Sequence, residues 1–125
     1  MESLKIAATN NTPEINFDFN KATLLISGRC FTQNILEFYA PVKKWVEDYL
    51  AAPQESTTLD LKIEYMNSAS TVIIANLLKR ISQLKNAGKK IVVNWHYIDG
   101  EEDMMEVGKE LEVLVSVPFN FIVFK

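Results

Sequence analysis

A chain of 125 residues, 48% of them hydrophobic, with 13 basic and 16 acidic side chains, has the composition of one soluble globular domain covering residues 1–125. Surface scaling gives a folded area of about 6,800 Å² against about 20,600 Å² unfolded, so about two-thirds of the surface is buried and a core forms without metals or disulfides. The formal charge of −3 and an isoelectric point near 5.2 provide no positive field for phosphate backbones or anionic lipid, which excludes sequence-independent nucleic-acid binding.

In chain order, Ile15, Phe17 and Phe19 alternate with Asn16, Asp18 and Asn20, the period of a strand with one wet face. An Asn20-Lys21 turn joins it to Thr23-Leu24-Leu25-Ile26-Ser27, and the two predict an antiparallel hairpin. After Gly28, the spacing of Ile35, Phe38, Tyr39, Val42, Trp45, Val46, Tyr49 and Leu50 predicts a helix ending before Pro53. Pro41 opposes the carbonyl four residues back, so a kink, or a helix that effectively starts near residue 38, is expected.

Leu59, Leu61, Ile63 and Tyr65 then alternate with Thr58, Asp60, Lys62 and Glu64, again a strand with one apolar and one polar face. Residues 68–87 carry Val72, Ile73, Leu77, Ile81 and Leu84 on a helical stripe, ending on Gly88. Ile91, Val93, Trp95 and Tyr97 form another strand; Met104, Val107, Leu111 and Leu114 a third helix; and Phe119, Phe121 and Val123 a last strand after Pro118. Successive strand–helix–strand units are right-handed crossovers between parallel strands. The fold class is therefore α/β, with a mixed, mostly parallel sheet, an N-terminal antiparallel hairpin, and helices packed mainly on one face.

The single cysteine, Cys30, rules out an intramolecular disulfide and cysteine-based metal spacing, and fits a cytoplasmic location. Met1 to Ile6 lacks the basic flank and apolar run of a signal peptide, and charges interrupt every stretch long enough to span a bilayer, so membrane insertion is not expected. No Gly-rich phosphate loop, nucleophile elbow or histidine pair is present. An enzyme would have to use His96 as acid or base with a carboxylate such as Asp99 or Glu101. The acidic run Asp99 to Asp103 lacks the alternating ligands of a calcium loop and suits the first turn of the third helix. Arg29 could lower the pKa of Cys30, although a buried thiol is the simpler reading.

The most informative segment is Tyr65-Met66-Asn67-Ser68-Ala69-Ser70-Thr71, which joins a strand's carboxyl end to the second helix. Partners and ligands favour such strand ends in α/β sheets. Asn67, Ser68 and Ser70 are also all competent helix caps, a role worth about 1 kcal/mol that accounts for them without any partner.

At this segment the chain resembles the SiaC family of bacterial regulatory phosphoproteins, whose fold is similar to STAS domains. The resemblance runs over nearly the whole chain: Thr12-Pro13, Trp45-Val46-Glu47 within Phe38 to Leu50, Leu59-Asp60-Leu61, Tyr65-Met66-Asn67-Ser68, Trp95-His96-Tyr97 and Pro118-Phe119, in that order. It implies a STAS-like phospho-switch that is not an enzyme and needs no cofactor or metal. Ser68 would be phosphorylated by a cognate kinase and dephosphorylated by a PP2C-type phosphatase. The unphosphorylated form would bind and activate a diguanylate cyclase, controlling cyclic di-GMP and biofilm formation. Met66, Asn67, Ser68, Ala69 and Ser70 would form the partner-binding surface. The alternative is an anti-sigma-factor antagonist that uses the same phosphorylation logic on a different target.

Overall fold

A computed structural model describes residues 1–124. The elements in order are β1 (Leu4–Ile6), β2 (Glu14–Asp18), β3 (Thr23–Cys30), α1 (Ile35–Ala51), β4 (Ser56–Met66), α2 (Ser68–Ile81), α3 (Gln83–Asn86), β5 (Lys90–Ile98), α4 (Glu102–Val115) and β6 (Phe119–Phe124). One six-stranded sheet carries them in spatial order β1 to β6. β1, β2 and β3 are antiparallel neighbours, and β3 to β6 run parallel. The mixed sheet with its antiparallel start is the one the sequence predicts; β1 is an addition. Its three residues are too few to show a period, and it lies on β2 with Leu4 opposite Phe17 and Ile6 opposite Ile15.

Ile15, Phe17, Leu24, Ile26, Leu59, Leu61, Ile63, Val93 and Trp95 are buried beneath the helices. The other face mixes polar side chains with the exposed Val92 and Ile122. Asp60, Asn94 and Asn120 lie in register across it, where Asn94 Nδ2 donates to Asp60 Oδ1 (3.0 Å) and Asn120 Nδ2 to Asn94 Oδ1 (3.0 Å). Parallel sheets are usually covered on both sides. Here a hydrogen-bonded polar row takes the place of a second helical layer.

Four local expectations are corrected. α1 starts at Ile35, so of the two outcomes expected at Pro41 the late start near residue 38 is not seen, and Pro41 sits inside the helix. Pro41 and Glu37 are both exposed, so the carbonyl that loses its amide partner can turn to water. The stretch expected as one helix over residues 68–87 breaks after Ile81, where Ser82 Oγ donates to the Lys79 carbonyl (2.7 Å) and a single turn, α3, follows. Tyr65 does not share the inward face of Ile63. The β3–β4 register passes from Gly28 opposite Ile63 to Arg29 opposite Tyr65, so Glu64 is an extra residue, Tyr65 turns outward and Met66 takes the buried place.

The last correction concerns helix rotation. In α4, Gly108, Leu111 and Val115 face the core while Leu114 is exposed. The helix lies so close to the sheet that Trp95 Nε1 donates to the Met104 carbonyl (2.9 Å), and a Cβ on Gly108 would fall 2.6 Å from that same nitrogen. Glycine admits the approach, and the approach sets the rotation.

Candidate functional site

β3 and β4 are parallel neighbours, so the helices that follow them, α1 and α2, begin side by side at the same end of the sheet. The two strand ends are tied where the Asn67 amide donates to the Cys30 carbonyl (3.1 Å). Asn67 is the N-cap of α2: its Oδ1 accepts from the Ser70 amide (2.8 Å), and its carbonyl accepts from the Thr71 amide (2.9 Å) and from Thr71 Oγ1 (2.9 Å). A cap that satisfies the third amide leaves those of Ser68 and Ala69 as the first-turn donors facing outward.

The three hydroxyls of this turn have separate fates. Ser68 is exposed, and its Oγ makes no side-chain hydrogen bond among the described residues. Ser70 is fully buried at 0% exposure, with an Oγ that has no partner among the described residues. Thr71 is partly buried and bonded back to Asn67. Only Ser68 presents a free hydroxyl to solvent. The first turn of α2 carries no acidic residue, and Lys79 and Arg80 lie in its last turn. The positive end of the helix dipole is therefore not offset by carboxylates of its own first turn.

The five residues expected to contact partners do not share one surface. Ser68 and Ala69 are exposed and Asn67 is partly so. Met66 and Ser70 are buried and support the turn from beneath. Among the aromatic residues, Tyr39 and Trp95 belong to the core and Tyr97 is half-buried. The exposed apolar residues at this end are ones the sequence pattern misplaced or passed over: Tyr65 (46% exposed), Val72 (60%) and Leu36 (71%). Val72 stands one turn beyond Ser68 on the same face of α2. Tyr65 stacks on Phe31 (centroids 4.4 Å apart), and the Arg29 guanidinium lies 5.1 Å from the Phe31 ring centre. Between α1 and α2 runs a groove of about 180 Å³ lined by Lys43, Val46, Glu47, Asn76, Leu77 and Arg80. Arg80 closes it with two bonds to Glu47 (2.7 and 2.6 Å), and this pairing holds the Glu47 carboxyl below the usual range.

The other candidate groups lie apart. Cys30 is buried, and burial pushes its thiol up to about 11, only partly opposed by the neighbouring Tyr39 hydroxyl. Burial, together with that thiol, also drives the Tyr39 phenol upward. The thiol is not activated as its neighbour Arg29 suggested, because desolvation raises it. His96 sits on the open face with Nε2 3.3 Å from Asp60 Oδ1. Its carboxylate neighbour is thus Asp60, on the adjacent strand β4, rather than Asp99 or Glu101. Glu102 and Asp103 occupy the first turn of α4, where the helix dipole favours them. No helix among the described residues is long and apolar enough to cross a membrane.

The profile of the family described as SiaC family regulatory phosphoprotein matches residues 6–124. The chain belongs to the SiaC family. It is 30% identical over 119 residues to an uncharacterised protein of Pseudomonas aeruginosa strain UCBPP-PA14, covering 95% of this chain and 94% of that one. Its fold is similar to the crystal structure of apo-SiaC from Pseudomonas aeruginosa, 29% identical with a TM-score of 0.88 over 98% of this chain and 99% of that one. It is also similar to a chain in the crystal structure of the diguanylate cyclase SiaD in complex with its activator SiaC from Pseudomonas aeruginosa, 29% identical with a TM-score of 0.91 over 97% of this chain and 99% of that one. Like the other members, the chain is a SiaC family regulatory protein, and the end of the sheet that carries Ser68 is its candidate regulatory site.

Proposed function

We propose that this SiaC family member is a cytoplasmic, non-enzymatic phospho-switch whose unphosphorylated form docks on and activates a diguanylate cyclase. Ser68 is the residue modified by a cognate kinase and restored by a PP2C-type phosphatase, and the output is cyclic di-GMP and biofilm formation. The observation that carries the reading is the exposed Ser68 hydroxyl at the uncharged first turn of α2, with its immediate hydroxyl neighbours buried or bonded.

Phosphorylation adds about −1.5 to −2 charges and three acceptor oxygens. At the start of α2 the amides of Ser68 and Ala69 and the helix dipole stabilise that charge, so the domain keeps its fold. A partner covering Tyr65, Val72 and Leu36 must instead desolvate the phosphate. A penalty of about 3 kcal/mol weakens binding more than a hundredfold. The switch then acts on docking, without refolding.

The test is incubation of the chain with its cognate kinase and ATP, followed by peptide mass spectrometry. Phosphate is expected on Ser68 and absent from a Ser68→Ala chain; phosphate confined to Ser70 or Thr71 refutes the assignment.

A further inference from the structure

The two edges of the sheet are built differently. β1 is three residues long with Lys5 at its centre, two of the usual ways in which a strand edge is blunted. β6 runs six residues, Phe-Asn-Phe-Ile-Val-Phe, without charge or proline. Successive residues of a parallel strand turn their amide and carbonyl to opposite neighbours. The Asp99 amide donates to the Phe124 carbonyl (3.1 Å), which places the even-numbered residues of β6 on the β5 side. The Phe119 amide donates to Glu112 Oε2 (2.8 Å), which places the odd-numbered residues outward. Phe121 and Val123 therefore direct both backbone groups to an edge that no other strand covers among the described residues.

We infer that β6 is the seam of a symmetric dimer, in which two copies of this chain pair antiparallel about a two-fold axis at Phe121. The register follows from parity. Opposed residues must point to the same face, and bonded residues must both present outward groups, so odd-numbered residues meet odd-numbered ones. Centred on Phe121, that residue bonds its own counterpart, while Val123 meets Phe119 of the second copy. Each outward group finds its complement in the same six residues, the condition for an isologous contact. Neutrality matters equally, because any charge on β6 would sit close to its own copy across the axis. The pairing also covers Val123 and Ile122, which the monomer leaves exposed.

Two consequences follow from the fold. The axis stands perpendicular to the sheet, so both helical layers remain on one side, and Ser68, at the end of β4 with β5 between it and the seam, stays free in each copy. The Glu112 carboxylate holds the Phe119 amide that pairing requires, and so competes with dimerisation. A strand pair alone is a small interface, and the dimer is expected to be weaker than about 1 μM.

Sedimentation equilibrium on the full unphosphorylated chain tests this directly. A monomer–dimer equilibrium is expected, tightened about tenfold by Glu112→Ala, which frees the amide. Val123→Pro removes an outward amide but no bond to β5, a position where edge strands accept proline. It should weaken dimerisation at least about tenfold, while Val123→Thr should not. Ile122→Lys, which places a charge at the seam, should weaken it as well and carries the test if the proline variant fails to fold. In hydrogen exchange, the Phe121 and Val123 amides should gain protection with concentration while the Ile122 amide does not change. A chain that stays monomeric to about 1 mM, or a dimer that survives these seam substitutions, overturns the inference.

Discussion

The amino ends of α2 and α4 answer the same physical problem in opposite ways. α4 begins with Glu102 and Asp103 in its first turn, so its own carboxylates already offset the positive end of the dipole. α2 begins with an asparagine cap, an exposed serine and no acid. α1 resembles α4 in this respect, with Glu37 in its first turn. Among these three long helices, α2 alone keeps a first turn that is both free of acid and supplied with a solvent-facing hydroxyl. A carboxylate is a permanent solution to the dipole, whereas a phosphorylatable serine is a reversible one. The contrast supports the proposed switch position more sharply than capping residues alone, since all three helix starts carry polar side chains.

The strongest way to break this contrast is to move charge by two residues. Ser70→Glu buries an unpaired carboxylate beneath α2 and should cost at least about 3 kcal/mol in urea unfolding. Ser68→Glu places the same group in water beside free amides and should leave stability within about 0.5 kcal/mol, or raise it. Equal losses for the two variants would mean that Ser68 is not the open position. Next in size, Asn67→Ala removes the cap bond to the Ser70 amide and should destabilise by about 1 kcal/mol, read from the same denaturation. The smallest expected change sharpens the comparison by giving α2 what α4 already has. Ala69→Glu should stabilise the chain by about 0.3–1 kcal/mol and at the same time slow phosphorylation of Ser68, measured as the initial rate of phosphate incorporation.

Most of the architecture was legible because alternation and helical stripes are strong signals when an element is long and faces one core. The hairpin, the parallel strands and the three main helices follow from them. What escaped was set by tertiary contacts. β1 has three residues and no period of its own. The extra residue at Glu64 turns Tyr65 outward, and pattern reading carries an alternation straight through such a bulge. The rotation of α4 depends on Gly108 meeting the Trp95 ring, a pair that only the folded chain brings together.

The site was legible in part. The strand-to-helix segment stood out by its position and its run of small polar residues, but sequence alone left Asn67, Ser68 and Ser70 equivalent as caps. The structure separates them, with Asn67 capping, Ser70 buried and Ser68 open. The apolar rim of Tyr65, Val72 and Leu36 was hidden because a hydrophobic residue in a periodic stripe reads as core unless its exposure is known.

The central claim, that charge on one exposed hydroxyl controls docking, is tested most directly by calorimetric titration of the cognate diguanylate cyclase with the unphosphorylated chain and with the Ser68-phosphorylated chain. The account predicts binding at least about a hundredfold weaker for the phosphorylated form, with the same circular dichroism for both. Equal affinity of the two forms would contradict it.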